Sequence, residues 1–356
     1  MKARLFVVDS QTINDVLNNN TVSVFVPNPE GKKLWVNTII DIISDMLQME
    51  IGDYIFLWET KSGATKNRIH GVHRVISKPF YLYIEGDTAP IKIKVEKAFD
   101  FVNPVEEYDI LNDPYNKHLN WTIIGKKVAG KSRASTPITS NEMNYLISKL
   151  IEVNTSYTFK KEFDEVSIPE DGQDLVLNLN MVTTKEFNIL EDFSISELGH
   201  LPSRRSKKLK YEKSLEAIFN NLFSTRNSEI ISEIGIDLNN LKWYANYLPY
   251  SFEQSEIDYL VIESIDGNVE SKFTVIEFMK DSSDIDHIER ALLYSKWVKD
   301  NLCYGIKNIV RPLLICFSNN ISEDTISSIE ERYDDLHLSI YKYNIEDNKI
   351  NFNLLR

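Results

Sequence analysis

An aspartate at the start of one apolar strand and a glutamate near the end of the next are placed to share a divalent cation. The first segment is Ile257-Asp258-Tyr259-Leu260-Val261. The second is Phe273-Thr274-Val275-Ile276-Glu277-Phe278-Met279-Lys280, and the turn Asp266-Gly267-Asn268 lies between them. Carboxylates are hard oxygen ligands that hold Mg²⁺ (or Mn²⁺) while leaving waters exchangeable. A cation held by Asp258 and Glu277 would activate water against a phosphodiester. A nearby lysine would stabilise the developing negative charge. Lys280 is the nearest in sequence, but strand alternation turns it away from the face of Glu277 unless a bulge brings it back. Lys272, Lys296 and Lys299 are the other candidates. Acids at strand ends also occur in plain surface hairpins, so the neighbouring elements must decide.

Those elements follow an α/β plan. Tyr211 to Phe223 reads as an amphipathic helix with Leu215, Ile218, Phe219 and Leu222 on one face. After the hairpin come a helix from Asp286 to Leu302 and a buried-type strand from Val310 to Phe317. A helix from Glu323 to Tyr333 and a last strand from Leu336 to Tyr343 complete the run. The first half differs. It reads as short strands at Leu5–Val8, Val22–Val26, Tyr54–Trp58, Ile69–Ile76, Ile91–Ala98 and Trp121–Ile124. Helices are expected at Thr12–Leu17 and Trp35–Met49, and a third opens on Thr139-Ser140-Asn141-Glu142, a capping-box pattern. Many short strands with few helices suggest a barrel. The expected fold class is thus α+β followed by α/β, with domains at 1–154 and 205–356 and an acidic connector at 155–204.

The composition sets outer limits. A chain of 356 residues exceeds what one core usually serves. Its 42% hydrophobic and 26% charged content is that of an ordinary soluble protein. No apolar run approaches the roughly 20 residues that span a bilayer, and the apolar stretch at the N-terminus is too short for a signal peptide. Cys303 and Cys316 are expected to be free thiols in a reducing cytoplasm. The net charge of −13 argues against a nonspecific coat on nucleic acid. Positive charge is nevertheless clustered, in Lys126, Lys127, Lys131 and Arg133 and again in Arg204, Arg205, Lys207, Lys208 and Lys210. Each cluster fits phosphate contacts or a solvated face.

The order of parts from Tyr211 onward resembles the PD-(D/E)XK nuclease superfamily. The resemblance implies that Asp258 and Glu277 bind metal, that Glu212 or Glu216 on the first helix supports them, and that Lys280 or Lys296 supplies the cation. The segment Ile288-Glu289-Arg290-Ala291-Leu292-Leu293-Tyr294-Ser295-Lys296-Trp297 is similar to the helix that follows in that family. Arg290 stands there in place of a common glutamine, and Met279 stands where the family has lysine.

The first domain resembles the EVE and YTH modules of the PUA superfamily, barrels that read a flipped, often methylated base. The matching stretches begin with Leu5-Phe6-Val7-Val8-Asp9-Ser10 and Ile51-Gly52-Asp53-Tyr54-Ile55-Phe56-Leu57-Trp58. Ile69-His70-Gly71-Val72-His73-Arg74-Val75, Pro104-Val105-Glu106-Glu107-Tyr108 and Arg133-Ala134-Ser135-Thr136-Pro137-Ile138-Thr139 follow in order. The resemblance implies that Asp9 and Ser10 meet the base edge. Trp58, Trp35 and Trp121 are the candidate plates for a flipped base, which wants aromatic walls. His70 and His73 are expected to be structural. Together the two resemblances imply a modification-dependent DNA endonuclease of a restriction or defence type, dimeric if it breaks both strands. Two alternatives remain: a reader of modified DNA or RNA with a degenerate nuclease fold, and an RNA-directed protein.

Overall fold

The computed structural model describes residues 2–9, 12–24, 36–60, 67–82, 84, 89–113, 122–123, 135–175, 209, 212–250, 255–265, 270–303, 308–333, 336–346 and 349–356. It is a mixed α+β structure with two sheets, divided into two compact units. Unit 1 comprises Met1–Leu34, Asp45–Val176 and Asn188–Ile195, and unit 2 comprises Trp35–Ser44, Leu177–Phe187 and Ser196–Arg356. No helix among the described residues is long and apolar enough to cross a membrane.

The elements of the first half are β1 (Ala3–Asp9), α1 (Thr12–Asn19), β2 (Thr21–Val24), α2 (Val36–Leu47), β3 (Tyr54–Thr60), β4 (Arg68–Val75), β5 (Phe80–Tyr81), β6 (Ile91–Lys97), β7 (Val105–Glu106), α3 (Glu107–Leu111), β8 (Ser135–Ile138), α4 (Ser140–Val153) and β9 (Gln173–Asp174). The strands run in the order β8-β1-β3-β4-β6-β5-β9, with β2 on β6 and β7 on β4. β6 shows the period-2 pattern of a half-buried strand: Ile91, Ile93 and Val95 are buried and the residues between them are not. β6 also changes partners along its length, meeting β4 through Val95–Lys97 and β2 through Ile91–Lys94, so the sheet curls. One face packs Leu5, Phe56, Trp58, Ile69 and Val72 against Tyr145, Leu146 and Leu150 of α4.

The N-terminus of α4 is closed by the capping box expected at Thr139 and Glu142. The buried Glu142 carboxylate also accepts from the Thr122 backbone N–H and hydroxyl. Thr122 and Ile123 are helical, not the strand expected at Trp121–Ile124. Of the segment read as a connector, 155–175 belongs to unit 1. Phe159 bridges to Phe99, and β9 pairs with β5.

Unit 2 carries α5 (Lys213–Ser224), α6 (Ser228–Glu233), a 3₁₀ turn (Leu238–Asn240), β10 (Leu241–Tyr250), β11 (Ser255–Ser264), β12 (Ser271–Phe278), α7 (Ile285–Asn301), β13 (Ile309–Cys316), α8 (Glu323–Glu330), β14 (Ser339–Glu346) and β15 (Lys349–Leu354). The sheet order is β10-β11-β12-β13-β14-β15. The first three strands are antiparallel, β12, β13 and β14 are parallel, and β15 returns antiparallel. Parallel neighbours need crossovers, and α7 and α8 supply them. Both pack on one face, where Ile288, Ala291, Leu292, Ile326 and Ile329 meet Leu314, Cys316 and Ile340. The opposite face takes α5, whose Phe219 ring lies 5.8 Å from Tyr259 and 4.8 Å from Phe278.

Candidate active site

The hairpin register decides where the acids stand. The β11–β12 ladder ends at Tyr259–Ile276, and Asp258 and Glu277 are the next residues beyond it on the two strands. Strand alternation turns both away from the face of Tyr259 and Ile276. Glu277 also pairs with Leu314 of β13, and Leu314 lies in the cluster beneath α7. The two acids therefore face α7, while Tyr259 and Phe278 face α5. Across the other edge of β11, Asn246 pairs with Tyr259 and Leu248 with Ile257, which leaves Tyr247 opposite Asp258. Tyr247 has φ of +53°, a strained conformation for a bulky residue. Its hydroxyl donates to Asp41 at 3.1 Å and accepts from the Lys213 ammonium at 2.6 Å.

Glu277 is 1% exposed, and its Oε1 lies 2.7 Å from Nη2 of Arg290 on α7. Two atoms of this ion pair, Glu277 Oε2 and Arg290 Nε, are buried with no hydrogen-bond partner. Asp258 is half-buried, and its Oδ2 accepts the Phe278 N–H at 2.9 Å. Burial, and then the charge of Glu212, push the Asp258 carboxyl up to about 7 against the opposing Phe278 N–H, Arg290 and Lys213. Burial is also the leading cause that raises Glu277 well above the ordinary carboxylate range, followed by Asp258, with Glu212 and Glu216 adding to it and Arg290 opposing. Glu216 is buried on α5, and Glu212 stands at that helix's N-terminus. Burial and the Glu277 charge push the Tyr294 phenol up to about 12. Asp258, Glu277 and Arg290 thus act on one another, with Glu212 and Glu216 adding negative charge beside them.

The lysines offered by the sequence are engaged elsewhere. Lys280 lies past the end of β12, and its ammonium pairs with Asp281 at 2.6 Å. Lys296 pairs with Asp300 at 3.3 Å on the same helix, and Lys272 pairs with Glu263 at 2.9 Å. Met279 packs against the apolar cluster of α7 and α8. The guanidinium on Glu277 is the residue that sequence reasoning does not assign. In sequence Arg290 stands out only as the replacement for a glutamine common at that helix position in the family that the segment resembles.

Among the described residues no group of three or more His, Cys, Asp or Glu side chains is disposed to hold a metal ion. The candidate donors are Asp258 and Glu277. Two carboxylates suffice for Mg²⁺, which keeps several waters and takes further oxygens from a substrate phosphate. The buried Glu277 Oε2 is an oxygen ligand of the right type. The donor set therefore fits such an ion.

The base-reading residues divide differently. Trp58 is 4% exposed within the apolar cluster under α4, with its Nε1 buried and unpartnered. It packs as a core side chain. Asp9 is exposed, and its Oδ1 accepts the Thr12 N–H at 2.7 Å at the start of α1. Ser10, Trp35 and Trp121 lie outside the described residues, as do Lys126, Lys127, Lys131 and Arg133. His70 holds the buried Glu59 at 2.8 Å. His73 is buried, and burial lowers its imidazole to about 4.

No protein-family model matches the chain, and a search of curated proteins returns no match. Solved structures give faint likenesses. A hypothetical protein from Leishmania major is similar at 12% identity and a TM-score of 0.30, over 43% of this chain and 96% of that one. Human THYN1, solved in complex with DNA containing 5-methylcytosine, is similar at 11% identity and a TM-score of 0.30, over 42% of this chain and 98% of that one. A protein from Pseudomonas putida reaches 14% identity and a TM-score of 0.29, over 42% of this chain and 99% of that one. Likenesses at this level carry no argument about fold or function.

Proposed function

We propose that the chain is a metal-dependent DNA endonuclease whose first unit directs it to modified bases. One observation carries the cutting half: Asp258 and Glu277 lie just beyond the last paired residues of adjacent strands, with a buried Glu277 oxygen that has no partner. Asp258 and Glu277 would hold Mg²⁺ or Mn²⁺, which would polarise a phosphate oxygen and lower the pKa of a bound water. Glu212 raises the proton affinity of both acids and Glu216 that of Glu277, so a divalent charge is favoured there. Hydrolysis joins the oxygen of water to phosphorus and breaks one P–O ester bond. The attacking water gives up a proton, and the leaving alkoxide takes one up. The reading half rests on the order of motifs in the first domain, with Asp9 and Ser10 toward the base edge and Trp121 as a plate, Trp35 belonging to a stretch assigned to unit 2.

A second reading is favoured by Met279, which leaves the usual lysine position apolar: a reader of modified nucleic acid with a silent nuclease fold. One experiment separates the two. The full chain is incubated with methylated and unmodified plasmid in Mg²⁺, in Mn²⁺ and in EDTA. Metal-dependent cutting that prefers the methylated plasmid supports the enzyme. Selective binding without cutting in either metal supports the silent reader. Competition by modified RNA oligonucleotides tests the RNA alternative.

A further inference from the structure

We infer that Arg290 is the catalytic cation of this site, standing in for the lysine missing at Met279. The inference rests on the nuclease reading. A phosphodiester under attack gathers negative charge on its equatorial oxygens, and a fixed positive group beside them lowers the barrier. The pattern would place that group two residues after Glu277, but Met279 is packed in the apolar cluster. Lys280 and Lys296 hold Asp281 and Asp300. Arg290 reaches the acid pair from α7, 2.7 Å from Glu277.

The ion pair is left incomplete in a way that suits substrate. A guanidinium carries five N–H donors in a planar fork that matches phosphate oxygens. Arg290 Nε is buried without an acceptor, and Glu277 Oε2 is buried without a donor or cation. Leaving such atoms unsatisfied is costly. A phosphate oxygen on Nε and a divalent ion on Oε2 would satisfy both. The side chain is 43% exposed, so part of it is open to the solvent from which a backbone phosphate would come. In the metal-free protein the same guanidinium is the counter-charge of Glu277, so it competes with a divalent ion for that carboxylate.

The test compares wild type with Arg290→Gln, Arg290→Lys, Lys280→Ala and Asp258→Asn. Each is measured for cleavage of modified plasmid and for Mn²⁺ affinity by calorimetry, with circular dichroism as the check on folding. Arg290→Gln keeps a hydrogen-bonding group for Glu277. It is expected to lower the cleavage rate by about a hundredfold or more, while binding Mn²⁺ as tightly as wild type or more tightly. Arg290→Lys restores part of the rate, and Lys280→Ala changes neither quantity. The inference is overturned if Arg290→Gln cuts at the wild-type rate. It is equally overturned if Arg290→Gln loses Mn²⁺ affinity in step with activity, which is the behaviour of a residue that only props the site. Loss of cutting in Lys280→Ala with Arg290→Gln unaffected returns the role to Lys280. Should Arg290→Gln fail to fold, Arg290→Lys decides: a lowered rate at unchanged Mn²⁺ affinity supports the role, because an ammonium lacks the fork and the Nε donor, and a wild-type rate overturns it. Wild type that neither binds Mn²⁺ nor cuts, with Asp258→Asn indistinguishable from it, removes the nuclease reading itself.

Discussion

Glu277 and Asp258 carry more negative charge into one corner of the sheet than Arg290 alone offsets, and the consequence is measurable. A carboxyl whose folded-state pKa is raised favours folding while protonated. Its contribution is fully present below the unfolded pKa of about 4 and is lost as pH rises through the folded value. For Asp258 that window closes near pH 7. Metal-free wild type should therefore lose stability between about pH 4 and pH 7 relative to Asp258→Asn. The two melting curves should meet at low pH, and the variant should melt a few degrees higher at neutral pH. A constant offset at all pH values would show that the carboxylate is not strained by its surroundings. The same substitution, like Glu277→Gln, should abolish cutting while leaving DNA binding intact. In wild type at neutral pH, Mg²⁺ should raise the melting temperature by mass action, and it should not do so in a variant lacking both acids. Mg²⁺ stabilisation that survives in the double variant would place the metal elsewhere.

At the scale of elements, the acids are positioned by aromatic packing on the opposite side of the same strands. Phe219 of α5 stands among Phe223, Tyr259, Phe278 and Phe352, with ring centroids 4.8 to 6.3 Å away. Tyr259 follows Asp258 and Phe278 follows Glu277, so this cluster fixes the strand positions that hold the carboxylates. Phe219→Ala should cost about 3–5 kcal/mol in urea unfolding, and activity should fall further than the unfolded fraction explains. At the other end of the chain, Thr139→Ala removes a capping hydroxyl and should cost about 1 kcal/mol.

The hairpin, α5, α7 and the capping box are legible in the sequence because their periodicity and cap residues agree with the fold. β10, α6 and β15 are not. β10 buries Trp243, Tyr244, Ala245 and Asn246 in succession and carries the left-handed Tyr247, so it shows no alternation to read. α6 is too short to display a helical period. The role of Trp58 is not legible because β3 is buried on both faces, and a tryptophan there looks the same in sequence whether it lines a pocket or fills a core. The acid pair is legible from strand ends, whereas its cation is not, since Arg290 comes from α7 across a helical crossover.

At the scale of the whole molecule, a chain with net charge −13 and an acidic centre must gather phosphate by other means. The cluster of Lys126, Lys127, Lys131 and Arg133 is the concentrated positive charge of the first domain. Neutralising a phosphate releases condensed counterions, so each one neutralised adds about 0.9 to the slope of log affinity against log salt on duplex DNA. Replacing all four residues by alanine should flatten that slope by about 0.9 for every phosphate that these side chains neutralise. Binding should weaken by the same factor for modified and unmodified DNA, because charges on the phosphates position a duplex without reading it. Fluorescence anisotropy with paired oligonucleotides across a salt series measures both effects. If the preference for the modified base collapsed along with the affinity, the cluster would belong to the base-reading surface itself. If the slope stayed as in wild type, Arg204, Arg205, Lys207, Lys208 and Lys210 would be the next group to replace, because the slope counts the charges that meet phosphate wherever they lie in the chain.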